Sequence, residues 1–433
     1  MGEPKIPSPV ELVVGEISHD NPFVEEEDRV LLSPYFEPRP PGQDPDTPPL
    51  TYEVAGPRRM LFFEPANVRA AIVTCGGLCP GINDVVRRLV LALWYNYGVR
   101  EIFGIRYGYR GLVEGEGEVP YILKPEEIET ISNDGGTYLG SSRGNQDPVD
   151  MVDFLQRRKI QILFTIGGDG TQRGAMAISR EARKRGYALS VVGIPKTIDN
   201  DIGLVERTFG FDTAVSLAAH VLRGAHVEAE AEHNGVVIVK IMGRQSGFLA
   251  TQASIASGDV NFLLVPEVPF ELDGPKGFLH SLKRRLELRH HALVVVAEGC
   301  AEQLMTQREK DLRWDDSGNL IFEDVGVYLK TRIAEFMKEI GLESKVRYID
   351  PSYYVRSLPA VPSDSIFCQQ LANFAVHAAM SGRTELIVAT CNGVPCHIPL
   401  EAATIGRRHV ELDGPLWRSA LETTGQPARM MND

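Results

Sequence analysis

The chain has 433 residues, 43% hydrophobic and 24% charged, with a formal net charge of −13. That length allows two or three domains with a sizeable core, and the acidic balance argues against nucleic acid or an anionic membrane as a main partner. No run approaches the roughly 18 apolar residues of a membrane span, the first twenty residues lack the blocks of a leader or transit peptide, and Ile6 breaks the myristoylation pattern.

Residues 1–65 read as an N-terminal arm. Within it, SPYFEPRPPGQDPDTPPL (33–50) is dense in Pro and Asp and predicts extended chain, either packed on a surface or disordered. AAIVTCGG (70–77) predicts a buried strand ending in a Gly turn, followed by a helix from about Ile82 to Tyr97 with Val85, Val86, Leu89, Val90 and Leu93 on one face. IQILFTIGG (160–168) and ALSVVGIP (188–195) predict two more strands, with a helix over about Thr171–Arg185 between them. A helix from about Asp212 to Ala229 leads to a fourth strand, GVVIVKIMG (235–243). NFLLVPE (261–267) and ALVVVAEG (292–299) follow, and helices are expected at 246–257, 277–289, 324–340 and 363–381. Continuous apolar strands separated by helices predict mostly parallel sheets covered on both faces. The strands are too many for one ordinary sheet. The expected fold class is therefore α/β: two Rossmann-like lobes with an active-site cleft between them, plus the Pro-rich arm. The boundaries expected are a nucleotide-binding lobe at 66–210 completed by about 355–405, a second lobe at 211–354, and a polar tail at 406–433. Cys75, Cys79, Cys300, Cys368, Cys391 and Cys396 show no paired CxxC spacing and read as small buried residues in a reducing cytoplasm.

The most informative segment is Gly193-Ile194-Pro195-Lys196-Thr197-Ile198-Asp199-Asn200-Asp201. It sets a cation, a hydroxyl and two carboxylates behind a strand end, where open α/β sheets bind ligands and where unpaired charge is not buried at a cost. Such a set suits a general base with electrostatic helpers acting on a phosphate-bearing substrate; a surface turn is the plain alternative. Three Gly-rich turns also follow strands. Gly76-Gly77-Leu78-Cys79-Pro80-Gly81 leads into a helix and would let backbone N–H groups approach a phosphate, although a tight strand–helix turn explains it equally well. Gly167-Gly168-Asp169-Gly170-Thr171 puts an Asp among glycines, which suits a Mg²⁺ that bridges phosphates or an Asx-turn. Gly243-Arg244-Gln245-Ser246-Gly247 places Arg244 at a strand end, either to stabilise a transferring phosphoryl group or to pair with a surface carboxylate.

GGDGT, PKTIDND and MGR in this order resemble the 6-phosphofructokinase family. TYLGSSRG (137–144), FGFDTAV (209–215), AEG (297–299), YIDPSYYVR (348–356), CNGVPCHIP (391–399) and AGPRRMLFFEP (55–65) look like its long plant- and spirochaete-type branch. The resemblance covers about residues 50–400. It implies an ATP-dependent kinase of glycolysis that phosphorylates the 1-hydroxyl of fructose 6-phosphate, with Mg²⁺ accompanying ATP. Asp199 would be the base, helped by Lys196, Thr197, Asp201 and Arg244. Gly77, Arg143, Gly144, Gly168, Asp169, Gly170 and Thr171 would hold the nucleotide, and Asp169 the metal. Thr197, Ile198, Asp199, Met242, Gly243, Arg244 and Glu298 would line the sugar, with Arg347, Tyr353 and Arg356 on its 6-phosphate. Relatives that use pyrophosphate carry Asp where Gly170 stands, so Gly170 favours ATP, whereas Lys196 also occurs in pyrophosphate enzymes. Departures from the short bacterial branch are Gly235 in place of an Arg that reaches a neighbouring subunit, which Lys240 or the arm would replace, and Tyr353 in place of a His. Arg87 matches one effector-site Arg, but its partner position holds Leu91, which counts against nucleotide-diphosphate activation in an otherwise allosteric family. A homodimer or homotetramer is implied. The rival readings are a pyrophosphate-dependent enzyme, a lipid or nucleotide kinase sharing GGDGT alone, and a silent sugar-phosphate-binding regulatory subunit. The last predicts loss of Asp199 or Asp169, and both are present.

Overall fold

The computed structural model describes residues 1–10, 23–35, 49–144, 146–305 and 323–432, and the backbone of 313–314 and 320–321. The heart of the expected Pro-rich arm, 36–48, lies outside the described residues. In chain order the strands used below are β1 (Arg29–Leu31), β2 (Thr51–Val54), β3 (Arg69–Thr74), β4 (Glu101–Ile105), β5 (Tyr121–Ile122), β6 (Ile162–Gly167) and β7 (Ser190–Pro195). They continue with β8 (Gly235–Ile241), β9 (Phe262–Leu264), β10 (His291–Ala297), β11 (Lys345–Ile349), β12 (Leu386–Cys391) and β13 (Val394–Pro399).

The chain forms two compact units. The first comprises Met1–Thr197, Ile202–Gly210 and Pro359–Arg407. Its nine-stranded sheet has the order β1-β2-β13-β12-β7-β6-β3-β4-β5. The five inner strands β12, β7, β6, β3 and β4 are parallel, and they read as uninterrupted apolar runs because both faces are covered. All six residues of β6 and all six of β7 are buried. The outer pairs β12–β13, β13–β2, β2–β1 and β4–β5 are antiparallel, so this sheet is parallel at its centre and antiparallel towards both rims. Burying Phe164, Ile72 and Ile102, each fully buried, contributes about 1.5–3 kcal/mol apiece.

The arm expected over 1–65 is woven into this unit where it is described. β1 and β2 extend the sheet, Ile6–Pro7 pairs with Met60–Leu61, and the buried Arg58 donates to the Val24, Glu25 and Val54 carbonyls. The helix expected over Ile82–Tyr97 is α-helical to Leu91 and then widens into a π turn at Ala92–Tyr97. It stops at Gly98, whose φ of 79° is the left-handed cap that glycine adopts without strain.

The second unit comprises Ile198–Asp201, Phe211–Leu358 and Arg408–Asp433. Its sheet is four-stranded and parallel, in the order β9-β10-β8-β11. The tail at 406–433, expected from sequence only to be polar, supplies a helix at Pro415–Thr424 that buries Trp417 and Ala420 and packs on the helix Phe248–Ser257. Among the described residues no helix is long and apolar enough to cross a membrane. All six cysteines are buried free thiols.

Candidate active site

In the first unit, parallel register brings three strand ends level. Thr74 pairs with Ile166, and Gly167 with Pro195. The residues after them therefore emerge side by side, beside the point between β3 and β6 where strand order reverses and open sheets bind ligands. Backbone bonds continue the alignment past the strands, from Cys75 N to Ile166 O and from Lys196 N to Gly167 O. The Lys196 side chain, only 5% exposed, donates to the Gly77 carbonyl at 2.7 Å. Ser141 Oγ donates to Gly76 O at 2.6 Å and Gly76 N to Ser142 O at 3.0 Å. These bonds fix the loop that carries Arg143 and Gly144, both exposed. Burial pushes the Cys75 thiol up to about 12 despite the neighbouring Lys196 ammonium, so this thiol is inert.

Gly168 is the N-cap of the helix Asp169–Lys184, and Asp169 thus sits at its positive end. The buried Asp169 carboxylate pairs through Oδ2 with Arg173, one turn on, and with Arg407 Nη2 at 3.4 Å. Its Oδ1 has no partner among the described residues. A single carboxylate with an open oxygen suits Mg²⁺, which keeps several waters and takes its remaining ligands from phosphates; the residues present fit that ion. Gly167 is demanded by packing, since a Cβ there would stand 2.1 Å from Thr171 Oγ1. Gly170 is different: it is exposed, and a Cβ added there meets no heavy atom within 4 Å. Thr171 is anchored through its carbonyl, which accepts from Tyr109 Oη at 2.6 Å. Thr197, the last residue before the chain passes to the second unit, accepts from Thr208 Oγ1 through its carbonyl at 2.7 Å.

In the second unit, Ile198–Asp201 forms a turn with Asn200 in the left-handed region at φ 53°. Ser246 Oγ donates to Asp199 O at 3.1 Å, and the Arg408 backbone N–H donates to Asp201 O at 3.0 Å. The Arg408 guanidinium lies over the Phe248 ring at 5.1 Å. Ile241 and Ala297 end β8 and β10 in register, which sets Met242, Gly243 and Arg244 beside Glu298. Glu298 N donates to Ile241 O and Gly299 N to Gly243 O. Arg244 lines an open recess of about 550 Å³ together with Gln245, Glu267, Glu302 and His409. Glu298 is exposed and has no side-chain partner among the described residues.

The three residues expected on the 6-phosphate separate into two groups. Tyr353 is 75% exposed, and the Arg356 guanidinium stacks on its ring at 4.8 Å. Arg347 lies on β11 opposite Val237, four register positions before the end of β8, and pairs with Glu228 at 2.9 Å and Glu232 at 3.2 Å. Lys240 corrects the sequence reading. Offered there as a phosphate ligand, it is caged between Asp324 at 2.5 Å and Asp350 at 2.8 Å, and Tyr348 Oη also donates to Asp324. Burial opposes its charge, but the bonds to both carboxylates outweigh burial and hold Lys240 above its ordinary range. The ammonium is a structural pin. Arg407 and Arg408 were missed, because nothing local in GRRHV marks two guanidiniums whose partners lie some 200 residues earlier.

The phosphofructokinase family model matches residues 69–379. The chain is 44% identical to the ATP-dependent 6-phosphofructokinase of Borreliella burgdorferi over 97% of each chain. It is also 44% identical to ATP-dependent 6-phosphofructokinase 7 of Arabidopsis thaliana, over 86% of this chain and 76% of that one. Among solved structures, the pyrophosphate-dependent phosphofructokinase of Marinobacter aquaeolei superposes with a TM-score of 0.67 at 20% identity, over 83% of this chain and 92% of that one, a likeness of fold.

Proposed function

Because the chain belongs to the phosphofructokinase family, we propose that it transfers the γ-phosphoryl group of ATP to the 1-hydroxyl of fructose 6-phosphate, giving ADP and fructose 1,6-bisphosphate. Asp199 takes the proton of the 1-hydroxyl as its oxygen bonds to the γ-phosphorus, and the bond from phosphorus to the β–γ bridging oxygen breaks. In such a transfer positioning and electrostatics do most of the work. Arg244, Lys196 and the positive end of the helix at Asp169 supply that charge, with Thr197 and Asp201 orienting the reacting groups. Gly77, Arg143, Gly144, Gly168, Gly170 and Thr171 take the nucleotide phosphates. Met242, Gly243, Ile198 and Glu298 line the sugar, and Tyr353 and Arg356 hold its 6-phosphate. Asp169 Oδ1 would face the water shell of Mg²⁺, which when bound neutralises charge across the β- and γ-phosphates.

The observation that carries ATP over pyrophosphate is the open space at Gly170. The protein has no steric need for glycine there, so the space is explained by the α-phosphate of a nucleotide. A coupled assay with each donor tests this: turnover with ATP and none with pyrophosphate is expected, and the reverse would overturn it. We place the reaction in the cytoplasm, in keeping with six unoxidised thiols, and the enzyme as a homodimer or homotetramer. Arg347, set back from the other phosphate residues, is then the group offered to a neighbouring copy. Light scattering on the eluted protein checks the assembly, and a monomer that keeps full activity would remove that role.

A further inference from the structure

At the amino end of its own sheet, the second unit brings two histidines and a carboxylate together. His226 and Glu230 are one turn apart on the helix Phe211–Glu230 and so share a face. His291 opens β10, six residues before its carboxyl end, or about 20 Å along the strand. His226 Nε2 lies 3.5 Å and His291 Nε2 3.9 Å from Glu230 Oε1. One ligand atom from each of the three lies within 4.8 Å of the others. A tetrahedral zinc with bonds of about 2.0–2.1 Å sets its ligand atoms about 3.3 Å apart, so the His226–Glu230 edge must contract by about 0.2 Å, the His291–Glu230 edge by about 0.6 Å and the edge between the two imidazoles by at most about 1.5 Å, side-chain shifts that rotamer adjustment can supply.

We propose that His226, Glu230 and His291 form a binding site for a divalent cation of the zinc class, with water in the fourth position. The ring of His291 is already set for it. His291 Nδ1 lies 3.0 Å from the Arg289 carbonyl, the backbone bond that in metal sites keeps the proton on one nitrogen and turns the other lone pair outward. His226 Nδ1 is buried and has no partner among the described residues, so no protein bond holds the ring against ligation through Nε2. The opposing group is Arg285, whose Nη2 lies 3.4 Å from His291 Nε2 and whose Nε is 3.3 Å from the His291 carbonyl. A cation must displace the first contact and can leave the second. Two imidazoles and one carboxylate favour zinc, cobalt or nickel over magnesium, which takes oxygen ligands. The cation would pin the helix that precedes β8 to the start of β10.

The test is titration of the purified enzyme with Zn²⁺ by equilibrium dialysis and with Co²⁺ by visible absorption. One equivalent per chain is expected. E230Q and H291Q should weaken it about tenfold or more, while their melting temperatures without metal stay near wild type. R285M should tighten binding several-fold, a gain that misfolding cannot produce. H220Q, an exposed histidine on the same helix, should change nothing. No saturable Zn²⁺ binding by the wild type, or one-equivalent binding that survives both E230Q and H291Q, would overturn the site.

Discussion

At the carboxyl edge of the four-stranded sheet, Gly243 and Gly299 are glycine because the protein leaves no alternative. Gly243 has φ +132°, and a Cβ there would stand 2.4 Å from Ser246 O; one on Gly299 would stand 2.1 Å from Arg244 O. At the edge of the nine-stranded sheet, Gly170 has neither constraint, and a Cβ added there would meet no heavy atom within 4 Å beyond its chain neighbours and its own helix backbone. The first edge is shaped by its own backbone, and Lys240, caged just behind it, belongs to the same fixed framework. At the second, part of the shape is left for what binds. Glycines in similar strand-end motifs thus carry different information, and only the one without a steric reason reports on the ligand.

The largest expected effect sets the scale. D199A should lower kcat by about 10²–10⁴-fold, the usual worth of a general base, with fructose 6-phosphate binding largely kept; steady-state kinetics and sugar-phosphate titration check it, and surviving turnover removes Asp199 from that role. Next comes the cage. K240M should cost about 2–3 kcal/mol in urea unfolding, below the range for fully buried pairs, because the Asp324 and Asp350 side chains remain 32% exposed. Both carboxylates are held below their ordinary range, burial opposing and the Lys240 bonds prevailing. Their contribution is therefore present above about pH 4 and lost as pH falls further, so K240M should also flatten the acid limb of stability against pH. G299A comes third, at about 1–3 kcal/mol of overpacking, read as a lower urea midpoint and a raised KM for fructose 6-phosphate. A variant as stable as wild type would break the contrast. The smallest effects fall on Gly170. G170D should leave the melting temperature in place and lower ATP-dependent kcat/KM about tenfold or more, about 1.4 kcal/mol. G170A should shift stability by no more than about 0.5–1 kcal/mol, towards greater stability, since the residue is helical.

Much of this was legible in the sequence wherever an element buries both faces. IQILFTIGG and GVVIVKIMG announce β6 and β8 because parallel central strands are apolar throughout. β13, VPCHIP, did not announce itself, since two prolines argue for an edge strand, whereas it pairs with β12 on one side and β2 on the other. The strand-end motifs were legible because glycines and charges behind an apolar run have few structural uses. Lys240 misled for a physical reason: its carboxylates stand 84 and 110 residues further on, and a lysine whose partners lie that far off looks available. Arg407 is the mirror case, 238 residues from Asp169.

The segmented make-up of the first unit bears on how the protein is born. β7 leaves the ribosome about 190 residues ahead of β12, its partner in the sheet. At about 5–20 residues per second that interval lasts about 10–40 s. For that time the nascent sheet ends in a fully buried type of strand with one edge unpaired, a template for pairing with other chains. The Ser190–Pro195 edge therefore stays a pairing template until Leu386–Cys391 emerges.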